Sequence, residues 1–181
     1  MKILNREISF FVAVFIFISS IYANAQILTK KTIGLELAKK LAAVAEEQAI
    51  NDNLTVVISI VDNGGNLIFL ERMDGTQLGS IEVSIEKAKT ALLFKRPTKV
   101  FQERIEQGAN AMIGLRNALP LEGGLPFIVD GEIVGSIGVS GASSAQDGVI
   151  ANAAVNFLIS LKWSYINITL ILSYYKILTL N

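Results

Sequence analysis

The clearest periodic pattern in the chain lies at residues 32–50, where apolar residues recur at helical spacing and charged residues take the other faces. The apolar positions are Leu35, Ala38, Leu41, Ala42 and Ala45. Thr32 is placed to cap the start, and the Asn-Asp-Asn run at residues 51–53 ends the pattern. The pattern predicts an amphipathic helix that packs against a core.

Two hairpins are predicted from β-branched runs interrupted by turn residues. Residues 54–61 and 67–70 flank the turn Asn-Gly-Gly-Asn. Residues 127–129 and 133–139 flank Asp130-Gly131, a strong two-residue hairpin signal. Gly135 and Gly138 interrupt the last strand, and such glycines often mark a bulge or the close approach of another backbone or a ligand.

Three further helices are predicted, over residues 80–94, 99–107 and 149–161. Ser80 and Thr98 are placed to cap the first two, and Pro97 separates them. Between them, residues 95–98 form a basic elbow, Lys-Arg-Pro-Thr, beside a helix N-terminus. That arrangement is compatible with an anion site, because free N–H groups and the helix dipole favour negative charge there, and equally with a structural turn.

Both ends of the chain differ in composition from its middle. Residues 1–25 combine Lys2 and Arg6, an uncharged apolar run and a small-x-small site at Ala23-Asn24-Ala25, which predicts a cleaved signal peptide and export to the periplasm or medium. Residues 162–181 form an apolar tail with only 13 residues between its two lysines, too few for a membrane span. An added strand, an interfacial segment, an oligomer contact and an extension without a role all stay open. The domain proper is expected at residues 26–161.

Charge and composition then narrow the function. The chain has 16 basic and 16 acidic residues, and its mature form would carry a formal charge of −1, which does not indicate a nucleic-acid partner. It contains no cysteine and no histidine. Disulfides, the commonest metal ligand and the usual general base are therefore excluded, and no nucleophile–base set can be assembled.

The remaining candidate chemistry is a binding site of cations and backbone N–H groups around glycine turns. Arg72 follows the first hairpin, where a pocket rim and a solvated loop are both compatible with the sequence. Arg96 and Thr98 belong to the elbow, Glu122-Gly123-Gly124 forms a glycine turn, and Asp147 lies in the first turn of the last helix, where it suits the dipole. A pocket of lysines, arginines and backbone N–H groups around the glycine turns suits a carboxylated or otherwise anionic small molecule.

Four motifs in order carry a family resemblance: VDNGGNL with ERMDG at residues 61–75, EKAKTALLFKRPT at 86–98, LPLEGGLPFIVDGEIVGSIGVSGA at 119–142, and SAQDG at 144–148. Together they resemble the GlcG/HbpS family, which includes the C-terminal domain of PduO-type proteins and is often described as haem-binding or haem-degrading. The resemblance runs from about residue 35 to 158.

The resemblance implies an α+β, PAS/profilin-like sandwich in which helices pack on an antiparallel sheet, usually as a homo-oligomer. It implies haem or a related tetrapyrrole as the ligand of some members. Lys87, the Arg96-Pro97-Thr98 elbow and the turn at residues 122–124 match family motifs. Without histidine, an iron ligand would have to be Met73, Met112, a tyrosine, a lysine or a hydroxyl.

Three functional hypotheses follow. The first is an exported oligomeric protein that binds an anionic small molecule, with haem as the family-derived candidate and no catalytic residue assigned. The second is an enzyme acting on haem or a small organic acid, with Lys87 or Glu122 as the proton-transfer group. The third is an assembly subunit whose glycine turns form interface contacts.

Overall fold

The computed structural model describes residues 28–178, and for residues 163–178 it describes the backbone alone. The predicted signal peptide at residues 1–25 lies outside the described residues. The chain falls into two units, Met1–Lys30 and Lys31–Asn181, and the fold below is that of the second.

The second unit holds four strands, four α-helices and one short 3₁₀ helix among its described residues. In chain order they are α1 (Leu35–Asn51), β1 (Val57–Asp62), β2 (Leu67–Arg72), α2 (Ser80–Leu93), α3 (Lys99–Glu106), the 3₁₀ helix (Asn110–Gly114), β3 (Gly124–Val129), β4 (Glu132–Ser140) and α4 (Ser144–Leu178).

The strands form one antiparallel sheet in the order β2-β1-β4-β3. The two predicted hairpins are β1–β2 and β3–β4. They are joined by pairing of the two central strands, β1 and β4, with Val57 opposite Ser140 and Asp62 opposite Gly135. The expected α+β class, an antiparallel sheet packed with helices, is confirmed.

One face of the sheet carries the apolar core. Helices α1 and α4 pack on it, and the buried side chains include Leu41, Ile58, Ile60, Ile137 and Ile150. Burying aliphatic side chains of this size stabilises the fold by about 1.5–3 kcal/mol each. Four of the five predicted apolar positions of α1 are buried, while Leu35, its first residue, is 48% exposed. The match to the periodic pattern of residues 32–50 shows why that helix could be predicted from sequence.

Helix α2 packs on the other face of the sheet, where glycine and serine residues let its backbone approach closely. A Cβ at Gly138 would clash with the Ser84 carbonyl, and a Cβ at Gly124 would clash with the Lys87 carbonyl. Ser136 Oγ donates a hydrogen bond of 2.6 Å to the Ala88 carbonyl. Gly138 in the last predicted strand therefore marks the close approach of another backbone, here that of a helix, which is one of the possibilities that the sequence left open.

Two of the three predicted caps are wrong in position, since helix α1 begins at Leu35 after Gly34 and Ser80 is the first residue of α2. Thr98 does stand at the N-cap position of α3, as predicted, but its side chain makes no cap hydrogen bond. Each hydroxyl instead meets a partner distant in sequence: Thr32 accepts from the Asn63 N–H, Ser80 from the Ser140 hydroxyl, and Thr98 from the Gly124 N–H. Tertiary hydrogen bonds have replaced local ones.

The last predicted helix is longer than its pattern. Helix α4 continues without a break to Leu178, so the described part of the tail, residues 162–178, has a helical backbone and is not an added strand. Among the helices that the structure describes, none is both long and apolar enough to cross a membrane.

Candidate functional site

Lys87 lies in the middle of α2 and reaches across the sheet edge into a closed environment. Its Nζ donates to the Val139 carbonyl at 2.9 Å and to Asp147 Oδ2 at 2.7 Å. The two side chains of this ion pair are 2% and 3% exposed. We call Lys87–Asp147 the inner pair. A buried charge needs such a partner, because an isolated one is strongly disfavoured in a protein interior.

Asp147 is held by the first turn of α4. Its Oδ1 accepts a hydrogen bond of 3.0 Å from the Ala142 N–H, while Oδ2 receives Lys87. Burial raises the pKa of the Asp147 carboxyl, and the Lys87 ammonium together with the N–H groups of Ala142 and Gly141 opposes that rise. The inner pair thus ties α2, the end of β4 and the start of α4 to one another.

Gly123 closes the inner pair off. Its φ of +125° lies in the region that favours glycine, and a Cβ there would lie 2.6 Å from the Val139 oxygen and 2.9 Å from Lys87 Nζ. The backbone at Gly123 therefore seals the ammonium of Lys87 from the outside. In this structure Lys87 and Asp147 hold the fold together and offer no free group to a ligand.

Thr98 and Gly124 join the start of α3 to the start of β3. The Gly124 N–H donates to Thr98 Oγ1 at 2.9 Å, and the Thr98 N–H donates to the Gly124 carbonyl at 3.0 Å. Thr98 is fully buried. These reciprocal bonds fix the first turn of α3 beside the glycine turn, so the predicted elbow and the predicted turn do meet.

An open pocket lies on the outer side of this junction, between the start of α3, the turn that enters β3 and the first turns of α4. Its volume is about 290 Å³, at the lower end of the ~300–1,000 Å³ of small-molecule sites. Its lining consists of Pro97, Lys99, Glu122, Gly123, Gly124, Leu125, Gly148, Val149 and Asn152. The wall is thus mostly apolar and backbone, with a few polar groups.

Lys99 and Glu122 form an ion pair within this lining, which we call the outer pair. Lys99 Nζ lies 3.2 Å from both carboxylate oxygens of Glu122. The Lys99 side chain is 51% exposed and that of Glu122 is 17% exposed. The Glu122 N–H donates to Gln102 Oε1 at 2.9 Å, so α3 also holds the backbone of the turn.

Two of the predicted site residues lie elsewhere. Arg72 ends β2, the edge strand opposite β3, and its Nη1 donates to the Thr76 carbonyl. Arg96 is exposed, donates to the Phe94 carbonyl, and stacks at 5.9 Å from the centre of the Phe101 ring. Neither lines the pocket.

The sequence reasoning missed Lys99, the cation that the pocket does contain. The available signal was its place one residue after Thr98, in the first turn of a helix predicted to begin beside the elbow. The predicted residues that the structure does bring together are Lys87, Thr98, Glu122, Gly123, Gly124 and Asp147.

Of the iron ligands that the sequence left open, the pocket lining contains only a lysine, Lys99, and its ammonium is engaged by Glu122. The sequence contains no histidine or cysteine, and Met73 and Met112 do not line the pocket. Met73 Sδ instead accepts the Val56 N–H beside the opposite strand. Within the described residues no group of three acidic side chains could hold a metal either. The tyrosine side chains all lie outside the described ones. What the pocket does offer is a cation and an acidic group.

Comparison with known proteins agrees with this architecture. A family model described as "Haem degrading protein HbpS-like" matches residues 33–156. Protein GlcG of Escherichia coli K12 is 39% identical over 112 residues, which cover 62% of this chain and 84% of GlcG.

Two solved structures are also similar. A double mutant of Streptomyces reticuli HbpS gives a TM-score of 0.68 at 32% identity, covering 75% of this chain and 92% of that one. The structure titled "PduOC:Heme Complex" gives a TM-score of 0.63 at 28% identity, covering 69% and 94%. The resemblance drawn from the four motifs is confirmed, and the chain belongs to the HbpS-like family.

Proposed function

We propose that this protein is a small-molecule-binding module that holds an anionic ligand in the pocket between α3, β3 and α4. The observation that carries the proposal is Lys99, a half-exposed ammonium in the lining of an otherwise largely apolar, glycine-walled pocket. A mostly apolar wall with a few convergent polar groups is typical of ligand sites. A carboxylate or another oxyanion forms a charge-assisted hydrogen bond with such an ammonium.

Haem or a related tetrapyrrole is the first ligand to test, since one structural relative is a haem complex. The pocket of about 290 Å³ would take one acidic edge of such a ring, with the rest of the ring outside it. The candidate iron ligand in the lining, Lys99, is held by Glu122 as an ammonium and so has no lone pair for iron. The proposed recognition is therefore through the carboxylates of the ring.

The proposal includes export and self-assembly. Export is supported by the basic start, apolar run and small-x-small site of residues 1–25. Intact mass of the protein recovered from the periplasm or medium would test it, with a chain starting at Gln26 as the expected result. Light scattering coupled to size exclusion would test assembly, and a monomer at all concentrations would contradict it.

The decisive experiment is a titration of the purified mature protein with haem, with metal-free protoporphyrin IX and with its dimethyl ester. Saturable binding of haem and the free acid with similar affinity, and weak binding of the ester, would support carboxylate recognition. Binding of haem alone would indicate iron ligation and contradict the mode proposed. Absence of binding to all three would exclude tetrapyrroles as the ligand.

A further inference from the structure

The pocket already contains an anion of its own, the carboxylate of Glu122. We infer that Glu122 is an internal competitor: it occupies the Lys99 ammonium, and a ligand carboxylate must displace it to bind. Glu122 therefore sets the affinity and the charge specificity of the pocket. This inference rests on the proposed function and adds to it the residue that controls the site.

In the outer pair, the Lys99 ammonium is bound by Glu122 and is still accessible to solvent. Both oxygens of Glu122 lie 3.2 Å from Lys99 Nζ, so the carboxylate faces the ammonium with its whole anionic edge. Half of the Lys99 side chain is nevertheless exposed. A second carboxylate can thus approach Lys99 from solvent while Glu122 still holds it. Exposed ion pairs of this kind are weak, so exchange of one carboxylate for another is feasible.

The position of Glu122 depends on a missing side chain. A Cβ at Gly148, in the first turn of α4, would lie 2.5 Å from Glu122 Oε1 and 2.8 Å from its Cγ. The absence of that atom leaves the space in which the Glu122 side chain lies. An alanine at position 148 would displace the Glu122 carboxylate, and it would suit the helix better than glycine does. Gly148→Ala is therefore a way to move Glu122 without changing any charge.

Specificity follows from the same arrangement. With Glu122 in place, the Lys99 charge is locally neutralised, and a neutral ligand gains or loses nothing by the pairing. An anionic ligand competes with Glu122, so only anionic ligands should respond when Glu122 is removed or moved. A ligand that carries both a carboxylate and a hydrogen-bond donor could satisfy Lys99 and Glu122 together.

The test compares five forms of the mature protein: wild type, Glu122→Gln, Gly148→Ala, Lys99→Met and the control Glu86→Gln. Glu86 pairs with Lys89 on α2 at 3.6 Å and does not line the pocket, so its substitution makes the same charge change elsewhere. The probes are protoporphyrin IX, its dimethyl ester and propionate. Thermal unfolding of each form would establish that all are folded.

We expect Glu122→Gln to bind protoporphyrin IX about two- to fivefold more tightly than wild type, the range that corresponds to an exposed ion pair. Gly148→Ala should shift the affinity in the same direction by a smaller factor. Lys99→Met should bind at least about fivefold more weakly. The ester should be indifferent to all four substitutions, and Glu86→Gln should match wild type.

In another outcome, wild type binds no acid probe while Glu122→Gln binds one detectably. That result would also support the inference, because Glu122 would then exclude the probe carboxylate from Lys99 completely. Equal or weaker binding by Glu122→Gln than by Glu86→Gln would overturn it. The two proposals fail differently. If wild type binds saturably and Glu122→Gln gains nothing, the competitor role fails and the binding function stands; if no form binds any acid probe, both fail.

Discussion

Two lysine–carboxylate pairs lie on opposite sides of the same glycine turn, and their environments give them opposite roles. The inner pair, Lys87–Asp147, is 2.7 Å long with side chains 2% and 3% exposed. The outer pair, Lys99–Glu122, is 3.2 Å long with side chains 51% and 17% exposed. Gly123 separates them, closing over Lys87 on one side and lining the pocket on the other.

The difference between the two pairs shows that a lysine does not face a pocket merely because it lies in a family motif. Lys87 lies in the motif, yet its Nζ is buried and donates to the Val139 carbonyl and to Asp147. Lys99 lies just beyond the motif and faces the pocket. Removing one partner of a buried pair lowers the stability of the fold strongly, because the other charge is left buried and unpaired. An exposed pair contributes little to stability and can exchange partners.

The largest expected effect comes from breaking the inner pair. Lys87→Met leaves Asp147 buried without its cation, and Asp147→Asn leaves Lys87 buried without its anion, so each should lower the free energy of unfolding by about 3–5 kcal/mol. Urea unfolding measures the loss. The double variant, which buries no unpaired charge, should lose less than the two single losses added together, and strict additivity would contradict a coupled pair.

The stability of Lys87→Met should depend on pH through the protonation of Asp147. Burial raises the pKa of Asp147, so the folded state binds this proton more tightly, and that stability is gained as pH falls and lost as pH rises through the folded pKa. Lys87 opposes the rise, so removing it raises the pKa further. The deficit of Lys87→Met should therefore shrink between pH 7 and about pH 4.

A smaller effect is expected where the turn closes over the inner pair. Gly123→Ala combines an unfavourable φ of +125° with contacts under 3 Å to Val139, Asp147 and Lys87, and should cost about 2–4 kcal/mol in urea unfolding. Gly131→Ala is the matched control, because Gly131 also has a positive φ, +79°, but has open space around it. It should cost about 1 kcal/mol. Equal losses would show that contact with the inner pair does not matter.

Substitution of the outer pair should scarcely change stability. Lys99→Met and Glu122→Gln remove an exposed pair, so each should alter the free energy of unfolding by less than about 1 kcal/mol. The same variants should change the affinity for acid probes, which separates binding from folding. A loss of several kcal/mol in either variant would mean that the outer pair is structural like the inner one.

The smallest effect is expected at a third cluster, whose side chains are about half exposed. Asp130 lies 2.7 Å from Lys31 and 2.8 Å from Lys162, and these lysines lower its pKa to about 2. This stabilisation is present above the ordinary pKa of 3.8 and is lost as pH falls through about 2. Asp130→Asn should thus lower Tm slightly at neutral pH, and this difference should shrink steadily as pH falls from about 4 through about 2. A constant offset across that range would contradict an electrostatic origin.

Local patterns predicted those parts of the fold that depend on near neighbours. The periodic apolar face of α1 and the Asp130-Gly131 turn of the second hairpin are both present in the structure. The caps at Thr32 and Ser80 were wrong, and Thr98 is an N-cap residue without a side-chain cap bond, because each hydroxyl has a partner more than twenty residues away.

The candidate site shows the same limit. Glu122-Gly123-Gly124 and the Arg96-Pro97-Thr98 elbow were identified from their motifs, and Thr98 and the glycine turn do meet. Arg96 does not join them, because its side chain turns to Phe101 and the Phe94 carbonyl. The orientation of a long side chain depends on the partners that the fold supplies, and a motif does not encode it.

The sequence by itself determined the family, the α+β class, the two hairpins and the absence of imidazole and thiolate chemistry. The hairpins and the missing chemistry follow from residue identity and local spacing, and the family with its α+β class follows from the four ordered motifs. Only the tertiary structure decided that Lys87 is sealed with Asp147, sixty positions away, and that Lys99 faces the pocket beside Glu122. The roles of the two lysines depend on exposure to water, and exposure is set by what the rest of the chain packs against them.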